Sequence, residues 1–159
     1  MIEADVLAAD ARWSSLAGAD DLVRRGVEAA FAAAEGAPDA AEVSVLLTDD
    51  TAIRDLNRNW RGKDRPTNVL SFPAPVPPGA AGPRHLGDIV LSFDTIRREA
   101  EDEGKTLRDH VLHLVVHGTL HLLGYDHEDE TQAEVMENLE IQALARLDVR
   151  DPYEGAAPL

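Results

Sequence analysis

A chain of 159 residues, 44% hydrophobic and 28% charged, has room for one folded domain, and its composition is neither disordered nor membrane-embedded. It holds no cysteine, which excludes disulfides, thiolate metal ligands and cysteine nucleophiles and fits a reducing compartment. Fifteen basic residues against thirty acidic ones give a formal net charge of −15, a field that repels a polyanion unless a local basic region overrides it.

Residues 2–7 read as an edge strand within an acidic start, MIEADVLAADARW, where a secretory leader would be basic. The spacing of DDLVRRGVEAAFAAAE predicts an amphipathic helix over 20–35, closed by Gly36 and Pro38. EVSVLLT (42–48) reads as a strand, and Asp49 and Asp50 open a helix running to about Asn59. TNVLSF (67–72) reads as a second strand, ended by the proline-rich segment 73–83, a surface loop. The longest uncharged run, Pro66 to Pro83, holds six of the nine prolines and is no membrane helix, so the expectation is a cytoplasmic protein without membrane association.

LGDIVLSF (86–93) reads as a third strand, with Asp94 as N-cap of a helix ending at Gly104. Thr106 caps the next helix, which runs to about Leu123 and stops at Gly124. A last helix over roughly 131–147 starts on TQAE, a capping-box pattern. Strands and helices mix without strict alternation. That predicts an α+β fold, one compact domain over 1–159 with a small mixed β-sheet and helices packed on it.

Three histidines fall within HGTLHLLGYDH (117–127). His117 and His121, four apart, share one face of a helix and can hold one ion together. Gly124 permits the sharp reversal that returns His127 as a third ligand. Three imidazoles and no fourth candidate leave a position open to water, the pattern of a catalytic site. All-nitrogen ligation suits Zn²⁺, with other divalent metals able to replace it. His113 lies one turn before His117, and Asp109 one turn before that. Asp109 orients His113, or the pair backs the ligands, or His113 is a hydrogen-bonded core residue. Asp126, beside His127, is a proton-handling or supporting group, or a cap. His85 and His110 take surface or structural roles.

The spacing of His117, His121, Gly124 and His127 matches the metzincin peptidase pattern, but Gly118 stands where those enzymes carry their general-base Glu. Met136, the one candidate for their Met-turn, falls inside a predicted acidic helix. A metallopeptidase is therefore disfavoured. The chain's concentrated basic stretch is 54–65, where Arg54, Arg58, Arg61, Lys63 and Arg65 against Asp55 and Asp64 give a local net of +3. Arginine forks suit phosphate and Trp60 can stack on a base; the alternative is a solvated helix end with Trp60 in the core.

HLVVHGTLHLLGYDH (113–127), WRGKDRPTNVLSFP (60–73) and LGDIVLS (86–92), in this order and spacing, resemble the YbeY family of bacterial endoribonucleases. EVMENLEIQALARLDVRDPY resembles that family's closing helix and tail, so the likeness spans roughly residues 42–153. The resemblance implies a metal-dependent, single-strand-specific endoribonuclease that matures the 3′ end of small-subunit rRNA and serves ribosome quality control. It implies a compact α+β fold distantly like the zincins, with a metal-binding helix. On the matching positions, the zinc ligands are His117, His121 and His127 and the functionally important arginine is Arg61, which makes His117, His121 and Arg61 the expected catalytic set. Arg58, Trp60, Lys63 and Arg65 are RNA-binding candidates on the charge and ring chemistry of the basic stretch alone. Trp60 replaces the usual Tyr, and Asn68 stands where many members have Asp.

The implied partners are single-stranded RNA, rRNA, the small ribosomal subunit and its assembly proteins. Residues 126–140 hold seven acids and no Lys or Arg, either a solvated helix face or a dock for a basic ribosomal protein. A third function class is a non-catalytic ribosome-binding module built around a structural zinc.

Overall fold

Alternation builds the middle of the sheet. Along Ala41–Thr48, residues Ala41, Val43, Val45 and Leu47 are buried on one face and Glu42 is exposed on the other. The computed structural model, which describes residues 1–76, 79 and 82–153, arranges four strands. They are β1 (Ile2–Ala8), β2 (Ala41–Thr48), β3 (Val69–Pro73) and β4 (Arg84–Ser92), in the order β1-β2-β4-β3. β1 and β4 pair with β2 in parallel and β3 pairs with β4 antiparallel, so the sheet is mixed. Five helices accompany it: α1 (Ala19–Ala33), α2 (Asp50–Arg61), α3 (Phe93–Glu103), α4 (Leu107–Leu122) and α5 (Glu130–Ala145). This is the single α+β domain that the sequence predicts.

The two faces of the sheet carry different helices, and that division positions the site. Ile89 and Leu91 of β4 join the large core with α1, α4 and α5, through Val27, Val115, Leu120 and Leu144. Val90 of β4 and Leu70 of β3 point the other way, against Ile53 of α2, with Leu56 and Phe72 packed on that smaller cluster. The helix of the histidines and the helix of the basic stretch thus lie on opposite faces. α1 and α4 approach so closely that a Cβ on Gly26 would meet Val115 Cγ1 at 2.9 Å.

Several sequence expectations move at their edges. The strand predicted over 67–72 starts at Val69, because Asn68 is occupied in tertiary bonds: its carbonyl accepts from Ser92 N and its Nδ2 donates to Glu99 Oε1. Asp94 is not an N-cap. Ser92 occupies that place, and the Asp94 carboxylate accepts from Arg12 and, at 3.0 Å, from Asp50 N. The capping box sits two residues earlier than TQAE. Asp129 caps α5 by accepting from Gln132 N at 2.7 Å, and Gln132 Oε1 accepts from Glu128 N at 3.1 Å. Of the loop predicted over 73–83, Pro73 closes β3, and positions 77, 78, 80 and 81 lie outside the described residues. Among the described residues no helix is long and apolar enough to cross a membrane.

Candidate metal centre

α4 carries two of the three histidines because its N-terminus is well capped and its apolar residues are buried. Thr106 Oγ1 accepts from Asp109 N at 3.1 Å, and Val111, Leu112, Val115, Val116 and Leu120 are buried. The other face presents His117 and His121, whose Nε2 atoms stand 3.1 Å apart. After Leu122 the chain reverses at Gly124, with φ +102°, a value that L side chains rarely adopt. Tyr125 then anchors the turn on the end of α1: its N–H donates to Leu120 O at 3.1 Å and its hydroxyl accepts from Glu35 N at 3.2 Å. That anchor brings the exposed His127 to the helix pair, with one ring nitrogen from each histidine within 4.8 Å of the others. Asp126 serves the turn, its Oδ1 accepting from His127 N at 2.8 Å.

Three ring nitrogens so placed fit one ion. Nitrogens around a tetrahedral zinc stand about 3.3 Å apart, near the separation already reached by His117 and His121. The chemistry of the set agrees. Burial and the neighbouring His117 and His127 push His121 below the ordinary imidazole pKa, favouring the neutral form that ligates.

Beneath His117 lies a carboxylate that no local pattern marks. Glu140 of α5 is 1% exposed, and its Oε1 accepts from His117 Nδ1 at 3.1 Å and from His113 Nε2 at 3.0 Å. Its Oε2 accepts from the Tyr153 hydroxyl at 2.8 Å. Burial opposes its charge, but the bonds from His113 and His117 prevail and hold it down at about 2. An ionised carboxylate only accepts, so both rings donate to it, and His117 is left with its Nε2 lone pair facing His121. The group that orients His113 is therefore Glu140, while Asp109 pairs with Arg108 at 3.1 Å. In the sequence Glu140 is one of the seven acids of 126–140 and lies in the closing-helix segment, and neither feature distinguishes it from its solvated neighbours.

The basic stretch is placed elsewhere. Arg61 ends α2 and Gly62 caps it. Arg54 pairs with Asp64 at 2.9 Å and Arg58 with Asp55 at 3.0 Å, so that three of the stretch's five cations, Arg61, Lys63 and Arg65, lie outside these pairs. Asn57, buried, holds the following loop by donating Nδ2 to Arg65 O at 2.9 Å. Trp60 is 72% exposed, not in the core, and meets the Phe72 ring edge-on at 6.3 Å between centroids. β3 separates this stretch from α4: Phe72 faces Trp60, and the adjacent Ser71 donates Oγ to Gly118 O at 3.2 Å. His110 is buried against Glu99 at 2.9 Å, and His85 is exposed near Glu42, in keeping with structural and surface roles. Met136 is a buried residue inside α5.

The sequence model of the endoribonuclease YbeY family matches residues 12–148. The chain belongs to that family. An endoribonuclease YbeY of Rhodopseudomonas palustris (strain BisB18) is 53% identical over 144 residues, covering 89% of this chain and 86% of its own. One from Azorhizobium caulinodans is 50% identical over 153 residues, covering 96% of each chain. The solution structure of TM1509 from Thermotoga maritima superposes with a TM-score of 0.55 at 25% identity, covering 93% of this chain and 92% of that one. YbeY membership supports a nuclease hydrolase role with RNA as substrate. Within that family frame, His117, His121 and His127 form the one three-residue group among the described residues placed to share an ion.

Proposed function

We propose that the chain is a zinc-dependent, single-strand-specific endoribonuclease acting in the cytoplasm on the 3′ end of small-subunit rRNA, and in ribosome quality control. The observation that carries this reading is the convergence of three imidazoles on one point in a chain of the YbeY family. His117, His121 and His127 hold the ion. When bound, it supplies Lewis-acid polarisation of the scissile phosphate or activation of water.

The remaining work falls to the chain's own groups. Arg61 balances charge developing on the phosphate, and Arg58, Lys63 and Arg65 guide the backbone. Trp60, exposed and braced on Phe72, stacks an unpaired base. Because β3 is an edge strand between Trp60 and Gly118, an RNA strand laid over it reaches both the basic stretch and the histidines. The net charge of −15 weakens capture of free RNA, which favours delivery on the small subunit, through its assembly proteins.

The test is cleavage of an end-labelled single-stranded RNA at low salt by zinc-loaded wild type and by His121→Ala, with folding of both checked by circular dichroism. Cutting by the wild type alone supports the reading. Equal cutting by both overturns it. If neither cuts free RNA, the pair is compared on assembled small subunits, where inactivity of the wild type overturns the reading.

A further inference from the structure

The Glu140 network is not accounted for by packing. An apolar residue would sit at this point of the α4–α5 interface at no desolvation cost, among Met136, Ala143 and Leu144. Instead a carboxylate is buried there with three donors and no Lys or Arg among them. Two of the donors come from α4, one turn apart, and the third comes from the tail: Tyr153, whose ring also meets the His113 ring edge-on at 5.6 Å. Asp151 Oδ1 accepts from Tyr153 N at 2.8 Å and shapes that turn.

We propose that Glu140 is the positioning residue of the histidine triad, fixing His117 with Nδ1–H toward the carboxylate and Nε2 toward the ion, and that docking of Tyr153 completes it. This rests on the reading that the triad holds a metal. A carboxylate behind a ligating imidazole selects its tautomer, holds its ring plane and raises its basicity. His113 and Tyr153 act through Glu140, by fixing the carboxylate from its other sides. Tail docking and metal affinity are then linked, although Tyr153 lies 36 residues beyond His117 in the chain. Tyr153 and Glu140 touch no ion themselves, so neither is a catalytic residue.

The test uses full-length protein labelled with ¹⁵N-histidine, and zinc affinity measured by competition with a chromophoric chelator. Wild type, Glu140→Gln, Tyr153→Phe and His121→Ala are compared, with folding checked by near- and far-ultraviolet circular dichroism. The expected result is a loss of zinc affinity of about 10–100-fold in Glu140→Gln and a smaller loss in Tyr153→Phe. Long-range ¹H–¹⁵N spectra of the metal-free wild type should show His117 in its Nδ1–H form, with the other tautomer rising in Glu140→Gln. A purely packing role for Glu140 would lower thermal stability and leave both the affinity and the tautomer of the folded protein unchanged, and that result overturns the proposal. Should Glu140→Gln fail to fold, Tyr153→Phe, at a half-exposed ring, decides alone: wild-type affinity there overturns the proposal. Equal zinc binding by wild type and His121→Ala instead overturns the metal reading, and this inference with it.

Discussion

Ser71 Oγ donates to the Gly118 carbonyl at 3.2 Å, tying edge strand β3 to the helix that carries His117 and His121. The same contact explains why position 118 has no side chain. A Cβ there would meet Ser71 Oγ at 3.1 Å and Ile89 Cγ2 at 3.2 Å, so the position points into the sheet. Gly118→Glu, which restores the metzincin motif, should therefore give no peptide cleavage and cost roughly 2–5 kcal/mol, from overpacking and a buried unpartnered carboxyl. Urea unfolding and a casein assay check both halves. A stable, casein-cleaving variant would show that the glycine alone keeps a peptidase silent.

How much of this was legible in the sequence depended on how far apart the partners lie. His117 and His121 were readable because a helix places residues four apart on one face, and His127 because a glycine reversal is local chemistry. Glu140 was not, since it meets His117 across 23 residues and two helices. Asp94 failed as an N-cap for the same kind of reason: Arg12, 82 residues away, takes its carboxylate. The opposite placement of α2 and α4 follows from the alternation of Ile89, Val90 and Leu91 on β4, which shows two apolar faces but does not say which helix covers each.

Zinc should stabilise the fold only when the triad is whole. Ligand binding to the native state adds RT ln(1 + [L]/Kd), about 2.7 kcal/mol at a hundredfold excess over Kd. His127 is exposed and its imidazole joins no core cluster, so His127→Ala should leave the melting temperature of the metal-free protein close to that of the wild type. With zinc added, the wild type should gain several degrees in a thermal melt and the variant much less. Equal gains in both would remove His127 from the ligand set.

Trp60 offers an exposed ring at little cost to stability. If it stacks on a base, Trp60→Ala should weaken single-stranded RNA binding by about 1–3 kcal/mol, roughly fivefold to 150-fold. Trp60→Phe should recover most of that loss, because a smaller ring still stacks. Fluorescence anisotropy with a labelled oligonucleotide at fixed low salt measures it. Unchanged affinity in Trp60→Ala would place the RNA path away from β3.

Asp50 joins α2 to the start of α3. Its Oδ1 accepts from Ser92 Oγ and from Thr95 Oγ1, each at 2.6 Å, and its Oδ2 accepts from Arg98 at 3.0 Å. Burial opposes its charge, but these bonds prevail and lower its pKa below the usual 3.8. A carboxylate with a depressed folded pKa stabilises the fold at pH values above its unfolded pKa and loses that contribution as pH falls through the folded one. Asp50→Asn should therefore cost on the order of 1–2 kcal/mol at neutral pH, with the exposed Arg98 pair adding little. The gap between wild type and variant should narrow steadily below about pH 4, as the wild-type carboxyl takes up its proton. Thermal melts from pH 7 to pH 2.5 follow the narrowing, and a gap independent of pH would mean that the shape of Asp50, not its charge, holds α2 against α3.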